Sequence, residues 1–331
     1  MESLKKVIVL IETSTQGGRE ILCGISDYSR KHGPWIICRR LSSYLLPKSG
    51  ELTMSQIRKW KASGIITRDK THLEEMVKMG LPIILAGSLA SEDLNLPTIA
   101  PNNAKIGEMG AEYFLNRGFK HFAYFGVEGV VWSIERQKSY IDVLDKAGFS
   151  CYLYGKEKKG WYSEEELSNV TEWLMSLPKP VGLMTCTDEQ SQYILEACEA
   201  GKIEVPFQVA VLGVDDDKLL CNISYVPLSS INLNYYKAGY EAADLLNKLM
   251  AGEPMDGQKI IIEPSHIVSR QSTDTISTED QEVAGAIQFI RQNSFYPQSV
   301  SSKGHSLKDN ALSAQRDNGV FQRILNAQRL S

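Results

Sequence analysis

Three consecutive carboxylates, Asp215, Asp216 and Asp217, close the run VAVLGVDDD (209–217), whose preceding residues 209–214 carry no polar side chain. Such a run reads as a buried strand, so the acids stand at its carboxyl end. Four chemistries suit them: a metal site, acid–base catalysis, a helix cap, or a grip on the hydroxyls of a small polar ligand. A metal site needs further ligands, yet the five histidines and six cysteines are scattered and form no C-x-x-C pair. Catalysis by paired carboxylates requires a second acid at a set separation, which spacing along the chain does not supply. Gripping hydroxyls needs one ionised acceptor facing the ligand, because a carboxylate takes charge-assisted bonds from two adjacent hydroxyls. Asp215 is assigned that role, with Asp216 or Asp217 capping the following turn; three solvated turn acids are the alternative.

Three other polar stretches follow apolar runs. In VEGVVWSIERQKSY (127–140), Trp132 precedes a helix and Arg136 lies in its first turns. A ring that stacks on the C–H face of a sugar, beside a planar donor fork for its hydroxyls, suits a carbohydrate; a core Trp and a surface Arg are the alternative. In TCTDEQSQY (185–193), Thr187 and Asp188 stand where they can cap a helix, face a ligand, or do both. In ETSTQGGRE (12–20), Ser14 or Thr15 caps a helix, or the loop lends hydroxyls to a ligand. Its Gly17-Gly18 pair lacks the spacing of a dinucleotide loop and the GK[ST] ending of a phosphate loop.

The elements that position these groups alternate. Strands are predicted at 6–11, 35–39, 64–67, 82–86, 121–125, 150–153, 181–185, 209–214 and 259–263, and helices at 17–31, 54–61, 103–116, 134–147, 164–175, 188–200 and 235–250. Strand–helix repetition builds parallel sheets covered on both faces, with right-handed crossovers. The rhythm falls into two halves, 6–100 and 103–230, followed by a helix and a strand-rich return at 256–271. Ligands bind beyond the carboxyl ends of such strands, so two sheets facing each other make a cleft that closes about a hinge.

Composition sets the class. The 331 residues suffice for two cores, and 43% hydrophobic with 23% charged residues is ordinary for a globular protein. A net charge of −4 argues against polyanion binding by bulk electrostatics. No apolar run reaches a membrane span. The opening MESLKKVIVLIETS reads as a first strand rather than a signal peptide, which points to the cytoplasm and to reduced cysteines.

The stretches GREILCGISDYSRKHGPW (18–35), RGFKHFAYFGVEGVVWSIERQKSY (117–140), TDEQSQYILEAC (187–198) and VAVLGVDDD (209–217) together resemble the sugar-binding regulatory domain of the LacI/GalR type. More specifically, the chain is similar to the xylose operon regulators, in which this domain precedes an AraC-type DNA-binding domain. SRQSTDTISTEDQEVAGAIQFIRQNSFYPQSV (269–300) resembles their linker and the start of that domain. The resemblance implies an α/β, two-lobed periplasmic-binding-protein-like fold of type I. Each lobe is a doubly wound parallel sheet, and a short, partly helical tail follows. It places the sensing domain at 6–271, with one lobe at 6–102 and 232–255 and the other at 103–231 and 256–271. The linker is 272–280 and an incomplete DNA-binding region is 281–331. It implies sugar contacts from Arg136 and Asp215, a ligand-facing pair at Thr187 and Asp188, and a ring at Trp132. Thr13, Ser14, Gln16 and Ser88 fall on loops that line the cleft.

The tail departs from the pattern. After Val300 the sequence turns polar, without a clear recognition helix, where a truncation, a frameshift or a basic extension would each fit. From Glu282 onward it holds six Lys/Arg against three acids, a weak basic bias compatible with DNA. The expectation is a cytoplasmic, homodimeric, non-enzymatic transcription regulator. It senses a pentose, D-xylose foremost, needs no cofactor or metal, and binds promoter DNA if its DNA-binding domain is complete. A solute-binding protein for a sugar transporter is the other reading.

Overall fold

A computed structural model of the chain describes residues 4–39, 53–87, 95–154, 163–253 and 258–275. Its strands are β1 (Lys6–Leu10), β2 (Ile36–Arg39), β3 (Gly64–Thr67), β4 (Ile83–Ala86), β5 (Thr98–Pro101), β6 (His121–Phe125), β7 (Cys151–Leu153), β8 (Val181–Thr185), β9 (Val209–Asp215), β10 (Ser229–Leu233), β11 (Lys259–Ile262) and β12 (Pro264–Val268). Its helices are α1 (Gln16–His32), α2 (Met54–Lys59), α3 (Leu73–Val77), α4 (Asn103–Leu115), α5 (Val131–Lys146), α6 (Glu164–Ser176), α7 (Asp188–Ala200), α8 (Lys218–Ile223) and α9 (Tyr235–Met250).

Two six-stranded sheets result, in the orders β2-β1-β3-β4-β5-β11 and β7-β6-β8-β9-β10-β12. Pairing is parallel throughout the first; in the second β12 runs antiparallel to β10, so that sheet is mixed. The central strands are buried on both faces, as in GIIT of β3 and VGLMT of β8, which is why they read as unbroken apolar runs. In both sheets the order reverses about the first strand, between β1 and β3 and between β6 and β8. Ligand crevices open at such switch points.

Several sequence expectations change. The strand at 259–263 was expected in the second lobe, but β11 pairs with β5 in the first sheet, from Lys259 opposite Thr98 to Ile262 opposite Pro101. Helix α5 starts at Val131, so Trp132 lies inside its first turn rather than ahead of it. Residues 272–275, read as linker, are packed: Ser272 is fully buried, accepting from Ser229 N–H at 2.8 Å and donating to the Val211 carbonyl at 2.6 Å. A hydroxyl satisfied on both sides in this way ties the segment to the sheet. The tail at 281–331 lies outside the described residues.

Among the described residues the chain passes between the sheets after β5, after β10 and after β11. These crossings lie side by side. Asn102 N–H donates to the Ile262 carbonyl at 3.0 Å, and the Asn102 amide bonds both Glu263 oxygens at 3.1 and 3.0 Å. Adjacent crossings form a hinge, and the cleft lies to one side of it.

Candidate functional site

A cavity of about 540 Å³ opens where the carboxyl ends of β1, β3, β6, β8 and β9 converge. Its walls include Thr15, Gln16, Arg68 and Tyr235 from the first lobe, and Trp132, Arg136, Thr187, Asp188 and Asp215 from the second.

Arg136 is 3% exposed and fixed from one side. Its Nε donates to Asn103 Oδ1 at 3.0 Å, its Nη1 to the Cys186 carbonyl at 2.5 Å, and its guanidinium lies 5.0 Å from the centre of the Trp132 ring. Helix α4 can come this close to α5 because residue 107 is glycine: a Cβ there would stand 2.3 Å from the Arg136 carbonyl. The guanidinium has five N–H donors, so donors remain for the cavity.

Asp215 faces that arginine and is half-buried, opening onto the cavity. Its Oδ1 accepts from the Tyr235 hydroxyl at 2.7 Å. Tyr235 begins α9, on the first lobe's side of the hinge, so this bond links the lobes inside the cavity. Burial pushes the Asp215 carboxyl above its ordinary value, while Arg136, the Tyr235 bond and Arg68 pull it back. Burial and the Asp215 charge push the Tyr235 phenol well above 10.0. Burial opposes the charge on Arg68, and Glu12, in an ion pair at 2.5 Å, together with Tyr235 and Asp215 raises its guanidinium above the ordinary value.

Asp188 differs from expectation. It borders the cavity, but its carboxylate turns into the protein and is 1% exposed. Oδ2 accepts from Asp217 N–H at 2.7 Å and Oδ1 from the Ser230 hydroxyl at 2.6 Å; Ser230 in turn accepts from Asp216 N–H at 2.9 Å. Residue 213 must be glycine for this, since a Cβ there would meet Asp188 Oδ1 at 2.2 Å. Burial, then the Asp215 charge, raises the Asp188 carboxyl well above 3.8, against the donors that favour its charged form. Asp188 thus holds the acidic run in place, and Thr187 caps α7 by accepting from Gln190 N–H at 3.3 Å.

The three acids have separate partners. Asp215 faces the cavity. Asp216 is 3% exposed and pairs with Arg270 at 2.7 Å. Asp217 caps α8, its Oδ1 accepting from Leu219 and Leu220 N–H at 3.1 and 3.4 Å. Its Oδ2 crosses the cleft to Gln16 N–H, at the start of α1, at 2.9 Å. Lys218 N–H answers by donating to Gln16 Oε1 at 2.7 Å. None of the three is a solvated turn residue.

Gln16 therefore reaches the site as a clasp. Thr15, not Ser14, caps α1. Thr13 and Ser14 are exposed and off the cavity wall; their carbonyls hold Arg19 Nη1 at 2.9 and 2.7 Å. Ser88 lies outside the described residues. Sequence reasoning missed Arg68 and Tyr235. A polar residue directly after the apolar run GIIT was a usable signal for Arg68; Tyr235 offered none, because it begins an ordinary amphipathic helix.

Among the described residues no group of three His, Cys, Asp or Glu could hold a metal, and no helix is long and apolar enough to cross a membrane. The wall instead combines ionised acceptors, planar donors and a ring, a set that binds hydroxyls.

Residues 111–273 match the family of the periplasmic binding protein-like domain. The chain is 34% identical over 215 residues to the xylose operon regulatory protein of Haemophilus influenzae, covering 63% of this chain and 56% of that protein. To the protein of the same name from Escherichia coli K12 it is 26% identical over 298 residues, covering 87% and 74%. A solved structure of the xylose-binding transcription activator xylR superposes with a TM-score of 0.73 at 25% identity, covering 88% of this chain and 75% of that one. The fold is thus the two-lobed, periplasmic-binding-protein-like architecture of type I.

Proposed function

We propose that this relative of the xylose operon regulators is a sugar-sensing transcriptional regulator that takes a pentose, D-xylose foremost, into the cleft between its lobes. One observation carries the reading: Arg136, Trp132 and Asp215 meet at one cavity wall, with Tyr235 and Arg68 opposite. A free sugar offers adjacent hydroxyls to Asp215 and to the unused donors of Arg136, and a C–H face to Trp132. Thr187 and Gln16 border the same space, and Asp188 acts by holding Asp215 in place. A cavity of about 540 Å³ is ample for a pentose.

Binding bridges the lobes, since wall residues come from both, and so favours closure. The relatives are named as regulators, which supports control of genes over delivery of solute to a transporter, and binding over catalysis. Cytoplasmic location, a homodimer and promoter DNA as partner belong to the same proposal. So do the lobe limits at 6–102 with 234–262 and 103–233 with 263–275, adjusted for β10, β11 and the packed segment after β12.

Calorimetric titration with D-xylose, L-arabinose, D-ribose and D-glucose tests the reading. Saturable binding that favours D-xylose, lost in Arg136→Ala and in Asp215→Ala with the circular dichroism unchanged, is expected. Wild-type affinity in both variants overturns the site assignment, and no binding of any of the four sugars overturns the ligand class.

A further inference from the structure

Residues 269–275 run along the second lobe on a path fixed by polar contacts that the cavity does not need. Arg270 Nη2 donates to Asp216 Oδ1 at 2.7 Å and Nη1 to the Leu228 carbonyl at 2.8 Å. The two side chains are 16% and 4% exposed. Asp216 Oδ2 accepts from the Asn232 amide at 3.1 Å, so both oxygens are held. Around this pair the backbone is pinned as well: Arg270 N–H donates to Ser229 Oγ at 2.7 Å and Ser272 N–H to the Pro227 carbonyl at 2.9 Å. Thr273 Oγ1 bonds Ser229 Oγ and the Tyr113 hydroxyl, each at 2.7 Å.

Asp216 is also the immediate neighbour of the carboxylate that faces the cavity. Asp215 and Asp216 both have positive φ, 108° and 50°. Non-glycine residues hold such conformations only where their surroundings over-determine them, at a cost of about 1–3 kcal/mol each. A turn of this kind has little slack. Reorienting Asp215 rotates the 215–216 peptide, whose N–H is tied to Ser230, and so moves the Asp216 carboxylate. A buried charge cannot drift from its partner, because separation leaves both uncompensated. Arg270 must follow.

We propose that the Asp216–Arg270 ion pair couples the ligand cavity to segment 269–275, so that the set of Asp215 reaches the packed segment that follows β12. Residues 276–331 follow that segment in the sequence. The coupling runs both ways, as linkage requires. The identity of the trigger rests on the sugar-sensing reading; the pathway does not.

Hydrogen–deuterium exchange on the full chain tests it in two arms. In the first, saturating D-xylose slows exchange across 269–275 by about threefold or more in the wild type, and this response disappears in Arg270→Met and in Asp216→Asn. The second arm uses no ligand. Asp215→Asn changes exchange across 269–275 in the wild-type background and not in the Arg270→Met background, a double-mutant cycle between two side chains that do not touch. An undiminished xylose response in both variants, or additive effects in the cycle, overturns the coupling. If the wild type binds no pentose, the sugar reading falls and the cycle alone decides. If a variant loses its fold, the other variant carries the same comparison.

Discussion

Asp217→Asn separates lobe closure from stability. Asparagine caps a helix about as well as aspartate, so the bonds from Leu219 and Leu220 N–H survive the change. With its one oxygen kept on the cap, the asparagine turns an NH2 donor toward Gln16 N–H at the start of α1, so the charge-assisted bond across the cleft is lost. A hydrogen bond to a charged group contributes about 1.5–3 kcal/mol. The favourable placement of an anion at a helix N-terminus adds about 0.3–1 kcal/mol. Arg19 also approaches Asp217, at 3.4 Å, but its side chain is 41% exposed and solvent screens most of that gain. The closed arrangement therefore loses about 2–3 kcal/mol relative to the open one, a shift of about 30- to 150-fold in the equilibrium between them. Small-angle scattering of the free chain should give a larger radius of gyration for Asp217→Asn than for the wild type. The sugar-saturated forms should scatter alike, and calorimetric affinity should fall by no more than the same factor. The thermal midpoint should barely move. Identical scattering of the two free chains, with identical affinity, would refute the clasp.

Three further outcomes follow from the same geometry. Asp215→Asn should raise thermal stability at neutral pH while abolishing sugar binding, and the gain should shrink as pH falls toward 3.8. The sign is fixed by the raised carboxyl of Asp215: the folded chain holds that proton more tightly than the unfolded one, so ionising it costs stability as pH rises above the ordinary value. Tyr235→Phe removes the donor to Asp215 Oδ1 and should weaken sugar binding by about 5- to 10-fold, and further at acid pH, where the unsupported carboxylate protonates more readily; a calorimetric series in pH reads both effects. Gly213→Ala drives a Cβ to within 2.2 Å of Asp188 Oδ1 and should cost about 1–3 kcal/mol in urea unfolding, with sugar affinity falling as the acidic run is displaced.

What the sequence made legible was local. Runs such as VGLMT and VAVLG are apolar because both faces of their strands are covered, and the first polar residue after each marks a strand end. Asp215 was singled out that way, and Trp132 and Arg136 as an aromatic beside an arginine in the stretch after His121–Phe125. β5 and β10 escaped because TIAP contains a proline and SSINL opens on two serines, so neither shows an apolar run. The sheet to which β11 belongs depends on which edge is free when the chain returns, and no local pattern encodes that. The inward turn of Asp188 depends on a glycine 25 residues away in sequence. Tyr235 was invisible for a similar reason, since its apolar ring marks it as core and its hydroxyl finds Asp215 only once the lobes meet.

The conformation of the acidic run explains why three carboxylates can stand in succession there. In a continued strand, residues 215 and 217 would point to the same face and 216 to the other. Asp215 and Asp217 would then crowd one wall, two like charges in a half-buried cleft, each raising the cost of ionising the other. Positive φ at 215 and 216 breaks the alternation at a cost of about 1–3 kcal/mol per residue. The side chains instead diverge: one to Arg136 and the cavity, one to Arg270 beneath the sheet, one across the cleft to α1. Each charge meets its own donors, and the cavity wall, the packed segment after β12 and the contact with α1 share a single turn. Asp216→Gly would relieve the strained φ and remove the ion pair together. Its effect on stability can therefore take either sign, whereas its effect on exchange across 269–275 must be a loss of protection.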